Sequence, residues 1–336
     1  MMKKAHPTRK DFGDIFSLTF SIYFKNFWRN LGFGMPIAFV VFLFTVPYIL
    51  ITLSSINFTG YPFVSDATSM MVGQRASYFL LLLVSALLAP VFLTNYLAPK
   101  TIDALEHRRR EKKEYMRLTF QVFGRTFTAQ AAFFLITLGI LVFSGILIAV
   151  QAKRIDMMSL LNRNIEGLKI YFLIIVLISV VSFIVDLFCI FSKQVALFEH
   201  KRWFGAVGKS VKTIASGNFW VTMGYYLLFG LIVRLCGIVI IVVLLMFVGL
   251  VAAISIGIGA LAGAATMLGT PLGIICISIF VVLLMALYAI ISGLYSVFTT
   301  LTYFNARTVS EHIPFPSPEE NKEEKALAKG EEPEKI

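Results

Sequence analysis

Long apolar runs alternate along this chain with short segments in which apolar and charged residues recur at helical spacing. The clearest example is Lys193–Trp220. It leaves one run through Glu199-His200 and meets the next at Asn218-Phe219-Trp220. Between them Phe204, Val207, Val211 and Ile214 form one helical stripe, and Arg202, Lys209, Lys212 and Ser216 form the other. Residues 11–29 repeat the plan, with Phe12, Phe16, Phe20, Tyr23 and Phe27 opposite Lys10, Asp14, Ser17, Ser21 and Lys25. Such segments are too polar to cross a bilayer and suit helices lying in its interface.

The apolar runs cover about 35–53, 77–98, 128–150, 170–192, 219–255 and 271–304. Crossing a bilayer core of about 30 Å takes ~20 such residues, so the pattern predicts an all-α membrane protein with six transmembrane helices. Pro36, Pro47 and Pro90 lie in or at the start of these runs, where neighbouring helices can satisfy the carbonyls that proline frees. Residues 54–76 read as a polar loop, and the loop after the third run has room for a surface helix over Met157–Asn162.

The motifs recur. Lys100 and Glu106-His107 match Lys193 and Glu199-His200, Glu311-His312 follows the last run, and Asn26-Phe27-Trp28 echoes Asn218-Phe219-Trp220. Leu118-Thr119-Phe120 with Phe127 aligns without gaps on Leu18-Thr19-Phe20 with Phe27. The chain therefore reads as one membrane domain, 1–312, built of three repeats over about 10–107, 114–200 and 201–312. Each is an interfacial amphipathic helix, at 11–29, 115–127 and 201–217, followed by two spans. Residues 313–336 read as a disordered acidic cytoplasmic tail, rich in Pro, Glu and Lys with little to bury.

Charge fixes the expected orientation. The net charge is +11, yet most Lys and Arg flank the spans, where the positive-inside rule and anionic headgroups account for them, so no nucleic-acid partner is expected. With both termini inside, twenty-four of the thirty Lys and Arg face the cytoplasm and five face outward, as the positive-inside rule demands. Residues 1–10 are polar and the next twenty amphipathic, so no secretory signal is expected and the N-terminus stays in the cytoplasm. Arg109, Lys112, Arg202, Lys209 and Lys212 are the candidate contacts to anionic lipid headgroups.

Two charges lie inside the runs, and intramembrane ionisable groups are functional candidates. Asp186 is about 9 Å and Arg234 about 22 Å from the inner end at ~1.5 Å per residue, too far apart in level to pair. Asp186 is expected to bond locally or to Lys193. Arg234 is expected to find carbonyls of the Gly-rich segment 249–273, water or a lipid phosphate. Glu106, Glu199 and Glu311, each followed by His, are candidate metal ligands by type. Adjacent helical residues diverge by about 100°, however, so neutralisation of nearby Lys and Arg is the better reading. Cys189, Cys236 and Cys276 fall in apolar runs without metal or disulfide spacing. Gly259 and Gly263 form a small-xxx-small pair. Neither a hydrolytic constellation nor a nucleotide-binding motif is present; no cofactor, metal or enzymatic activity is expected.

Val195-Ala-Leu-Phe-Glu199, the basic helix Ala206–Thr213 before Gly217-Asn-Phe-Trp220, and the ending Thr302-Tyr-Phe-Asn-Ala-Arg307 resemble a six-helix bacterial membrane domain. That domain is found alone and also fused to glycerophosphoryl diester phosphodiesterases. The catalytic barrel of those enzymes has no counterpart in these residues, so the resemblance implies a fold and a bacterial inner membrane and no reaction. The expected function is a non-enzymatic membrane scaffold or accessory subunit that binds anionic lipid and a partner membrane protein. The alternative is a transporter or channel for a small solute or lipid, favoured by Arg234, the prolines and the repeats.

Overall fold

A computed structural model describes residues 9–54, 67–108, 110–152, 165–216, 218–261, 271–313 and 315–316. The regular structure among them is entirely helical: α1 (Phe12–Lys25), α2 (Phe27–Ser54), α3 (Ala67–Leu105), α4 (Lys112–Ala152), α5 (Ile165–Cys189), α6 (Ser192–Phe198), α7 (Trp203–Ala215), α8 (Phe219–Leu261) and α9 (Pro271–Ser310). Six stretches are long and apolar enough to cross a membrane: one each in α2, α3, α4, α8 and α9, and one running from α5 into α6. Arg109, the helix read over Met157–Asn162, Gly263 and most of the tail lie outside the described residues.

Each helix continues past the end of its apolar run. The last turns of α3 and α9 hold Thr101 and Thr308, whose hydroxyls bond back to the carbonyls of Leu97 (2.8 Å) and Phe304 (3.0 Å). A threonine that satisfies itself this way can be buried without an outside partner. The fourth run ends otherwise. It breaks at Ile190–Phe191, and Ser210 of α7 fills the break by donating to the Phe188 carbonyl (2.7 Å) and accepting the Phe191 N–H (3.2 Å). A side chain inserted into the helical ladder is a recognised cause of such breaks.

Contacts divide the chain, read from sequence as one domain, into two compact units. One comprises 1–10, 94–223 and 299–336. Its described core is rich in hydroxyls and amides: Thr94, Asn95, Thr119, Gln194, Thr213, Asn218 and Asn305 are all buried. Asn95 donates to the Thr126 hydroxyl (2.8 Å), and Asn218 donates to the Ala306 carbonyl (3.1 Å). Lys10 is fixed here too, because the Asn305 amide exchanges two hydrogen bonds with its backbone (2.8 and 3.0 Å).

The other unit comprises 11–93 and 224–298 and is built on rings and close backbone approach. Phe229 stacks on Phe298 at 3.9 Å, and Phe12 meets Tyr225 and Phe298 edge-on. Gly293 is required, because a Cβ there would stand 2.5 Å from the Tyr23 ring.

The short helices depart from the stripes drawn from sequence. In α1 the buried line is Ile15, Thr19 and Tyr23, with Phe12, Phe16 and Phe20 half-buried along its edge. In α7 the buried residues are Ala206, Val207, Ser210, Thr213 and Ile214. Of the apolar stripe drawn from sequence, Val207 and Ile214 are buried, while Phe204 and Val211 are exposed. The buried face lies against α4, α5 and α6, with Ile214 fully buried and Ser210 bonded across to the end of α5. Residues 115–127 form no separate helix but the first turns of α4.

Candidate functional site

The three Glu-His pairs share a backbone cause. Each Glu supplies the last hydrogen-bonded amide of its helix, from Glu106 to the Ile102 carbonyl (2.9 Å), Glu199 to Val195 (2.8 Å) and Glu311 to Arg307 (2.9 Å). Each His then turns left-handed, with φ of 54° at His107, 60° at His200 and 55° at His312. At the first exit the Arg108 N–H reaches back to the Asp103 carbonyl (2.8 Å), the long bond of a Schellman ending. Glycine is the usual residue at such a position, and histidine is among the few others enriched there. Among the described residues no group of three His, Cys, Asp or Glu could hold a metal.

The glutamates sit in a charge network whose members the fold brings from three elements. Glu199 closes α6, Lys209 projects from α7, and Tyr303, Arg307 and Glu311 follow one another at four-residue spacing at the end of α9. Tyr303 donates to Glu199 (2.7 Å), Arg307 donates to Glu311 (2.7 Å), and Lys209 donates to Glu311. Arg307 and Lys209 also stand 3.8 and 3.9 Å from the Glu199 carboxylate. The four charged side chains are only 15–21% exposed. Two cations therefore face two carboxylates in partial burial, where removing one member strands the others. Burial alone would raise the Glu311 carboxyl, but hydrogen bonds from Lys209 and Arg307, and their charges, hold it below its ordinary value of 4.5.

The first exit has its own cluster. Asp103 accepts from the Tyr115 hydroxyl (2.8 Å) and pairs with Arg110 (3.3 Å), while Glu106 pairs with Arg108 (2.9 Å). Arg125 of α4 reaches His200 Nδ1.

These placements sort the candidates read from sequence. Glu199 and Glu311 come together; Glu106 stays with its own neighbours. Lys209, expected at the headgroups, is turned into the network because two carboxylates converge on it. Lys112, Arg202 and Lys212 are exposed, as headgroup contacts must be. Asp186 is exposed close to the level where Phe188 stacks on Phe219 (5.3 Å), and among the described residues it makes no ion pair with Lys193. Arg234 lies on an exposed face of α8. Sequence reasoning missed Tyr303, Arg307, Asp103 and Ser210. The spacing Tyr303, Arg307, Glu311 was available as a signal, since residues four apart share a helix face.

Between α4 and α5 a cavity of about 380 Å³ is lined by Ile136, Ile140, Phe143, Leu177 and Val181. The Ser144 hydroxyl at its wall is turned back to the Ile140 carbonyl (2.6 Å), so this cavity offers a polar solute nothing to bind. Comparison with known protein families, curated proteins and solved structures found no match to this chain.

Proposed function

We propose that the chain is a non-enzymatic scaffold or accessory subunit of a bacterial inner-membrane complex. It crosses the membrane six times, keeps both termini in the cytoplasm, and binds anionic lipid and a partner protein. One observation carries this reading. The charges of the second and third exits neutralise each other, while Trp28, Trp203 and Trp220 are exposed beside exposed Lys25, Arg29, Lys201, Arg202 and Lys212. Indole rings favour the headgroup boundary, and basic side chains beside them attract anionic lipid.

Support for three repeats, over about 10–107, 114–200 and 201–312, comes from matching positions. Thr19, Thr119 and Ser210 are buried eight residues after Asp11, Glu111 and Arg202, and the three left-handed histidines follow the three C-terminal glutamates. The resemblance to the six-helix bacterial membrane domain belongs to the same proposal.

The test is native mass spectrometry of protein released from bilayers of phosphatidylethanolamine, phosphatidylglycerol and cardiolipin. Wild type is expected to retain anionic lipid, and the variant Lys201→Gln/Arg202→Gln/Lys212→Gln to retain several-fold less. Equal retention would count against the reading, as would solute flux in proteoliposomes above the protein-free level.

A further inference from the structure

Arg234 is a basic residue inside an apolar run that the inner-end clusters leave unexplained. It stands on an exposed face of α8 among Leu231, Leu235 and Ile238, each 54–57% exposed. Fourteen residues separate it from Trp220, about 21 Å at ~1.5 Å per residue. Side chains on a helix lean toward its N-terminus, which brings the guanidinium back over the preceding turn. That turn holds Gly230, where an added Cβ would stand 3.0 Å from the Tyr295 hydroxyl. The same hydroxyl is an electrostatic neighbour of Arg234. The missing side chain at Gly230 thus lets a phenol hydroxyl reach the rim where the guanidinium lies.

In a hydrocarbon core of about 30 Å, with Trp220 marking one boundary, this guanidinium lies near the midplane. A fixed cation there costs ~2.5 kcal/mol or more unless compensated. Among the described residues no carboxylate of this chain pairs with it. A second copy could offer Asp186 from within a span, but counted along the spans that residue lies about 13 Å closer to the inner end at ~1.5 Å per residue. The nearer core edge and its lipid phosphates lie on the C-terminal side, away from the direction in which the side chain leans, and the far edge is about half the core thickness from the guanidinium. A carboxylate carried in the middle of another protein's transmembrane helix meets all the constraints. It supplies the opposite charge at the right depth and can take the planar guanidinium in two hydrogen bonds.

We infer that Arg234, with the Tyr295 hydroxyl close to Gly230 one turn away, is an intramembrane docking point for a partner helix bearing a mid-span Asp or Glu. This rests on the scaffold reading and names the chemistry of its partner.

The test co-reconstitutes the full chain in phosphatidylcholine vesicles with a synthetic single-span Leu/Ala peptide carrying one central Glu, or Gln in its place. Energy transfer from the protein's tryptophans to a peptide label reports binding. The Glu peptide is expected to bind about tenfold tighter or more. The preference should vanish in Arg234→Leu and weaken in Gly230→Val, which displaces Tyr295 and leaves the cation in place. Equal binding of the two peptides, as when a lipid phosphate occupies Arg234, would overturn the inference. So would a Glu preference that survives Arg234→Leu. A photo-crosslinker in native membranes separates this failure from failure of the scaffold reading. Protein adducts from position 212 and none from position 238 would overturn the docking point alone. Protein adducts from neither position would overturn both.

Discussion

Helices α1 and α7 answer to the same description in sequence, yet their seats are made of different materials. The α1 seat is aromatic and tight: Tyr23 lies against Gly293, and Phe12 and Phe16 lean on Tyr225, Phe298 and Phe229. The α7 seat is polar: Ser210 fills the break after α5, and Lys209 joins two carboxylates. Ring packing depends on shape and is indifferent to pH. A seat of hydroxyls and ion pairs depends on every partner being present and correctly protonated. The two short helices should therefore fail under different insults.

The largest effect is expected on the α1 side. Tyr23 is fully buried, and truncating a buried aromatic side chain costs about 3–5 kcal/mol. Tyr23→Ala should lower the thermal midpoint in detergent sharply, with no dependence on pH between mildly acidic and neutral buffer. A loss no greater than that of a surface substitution would show that α1 is not seated as described.

A smaller loss is expected from Ser210→Ala, which strands the Phe188 carbonyl and the Phe191 N–H in a buried site. Each unsatisfied group costs about 1–3 kcal/mol. Hydrogen exchange at Phe191 should rise ahead of the rest of α5. Unchanged protection there would mean that the break is held by something other than Ser210.

The gentlest probe is acid. The folded state holds Glu311 below its ordinary value of 4.5, so it contributes stability that is fully present above that pH. The contribution is lost as pH falls through the folded value. Lys209→Met should remove part of this acid dependence and leave the part held by Arg307, giving a protein whose stability falls less steeply below pH 4.5. An identical acid profile in wild type and variant would separate Glu311 from the network.

Much of the fold was open to sequence reading because its signals are local and long. Six apolar runs, their flanking charges and the Glu-His exits needed no knowledge of partners. Two of the three junctions between short helix and span were marked as well: α1 ends at Asn26 before Phe27-Trp28, and α7 ends shortly before Asn218 and Phe219-Trp220. The aligned position in α4 is Thr126. Its hydroxyl bonds to its own helix and accepts from Asn95 of α3, so α4 runs on unbroken. The opposite surprise lies in the fourth run, apolar through the break at Ile190–Phe191, because the residue that makes the break is Ser210 on another helix. The face of α7 that is buried likewise carries Ser210, whose partners are on another helix. Hydropathy spacing, which weighs Phe204 above Ser210, could not rank the two.

The central claim of the proposed function is a rim of indoles at the headgroup boundary, and the chain's three tryptophans report on it directly. Single-tryptophan variants keeping Trp28, Trp203 or Trp220 would be reconstituted with phosphatidylcholine carrying a nitroxide near either the carbonyl or the methyl end of its acyl chain. Stronger quenching by the shallow label is expected at all three positions, as for indoles at the headgroup boundary. Stronger quenching by the deep label at Trp28 and Trp220, or no quenching by either at Trp203, would contradict the rim.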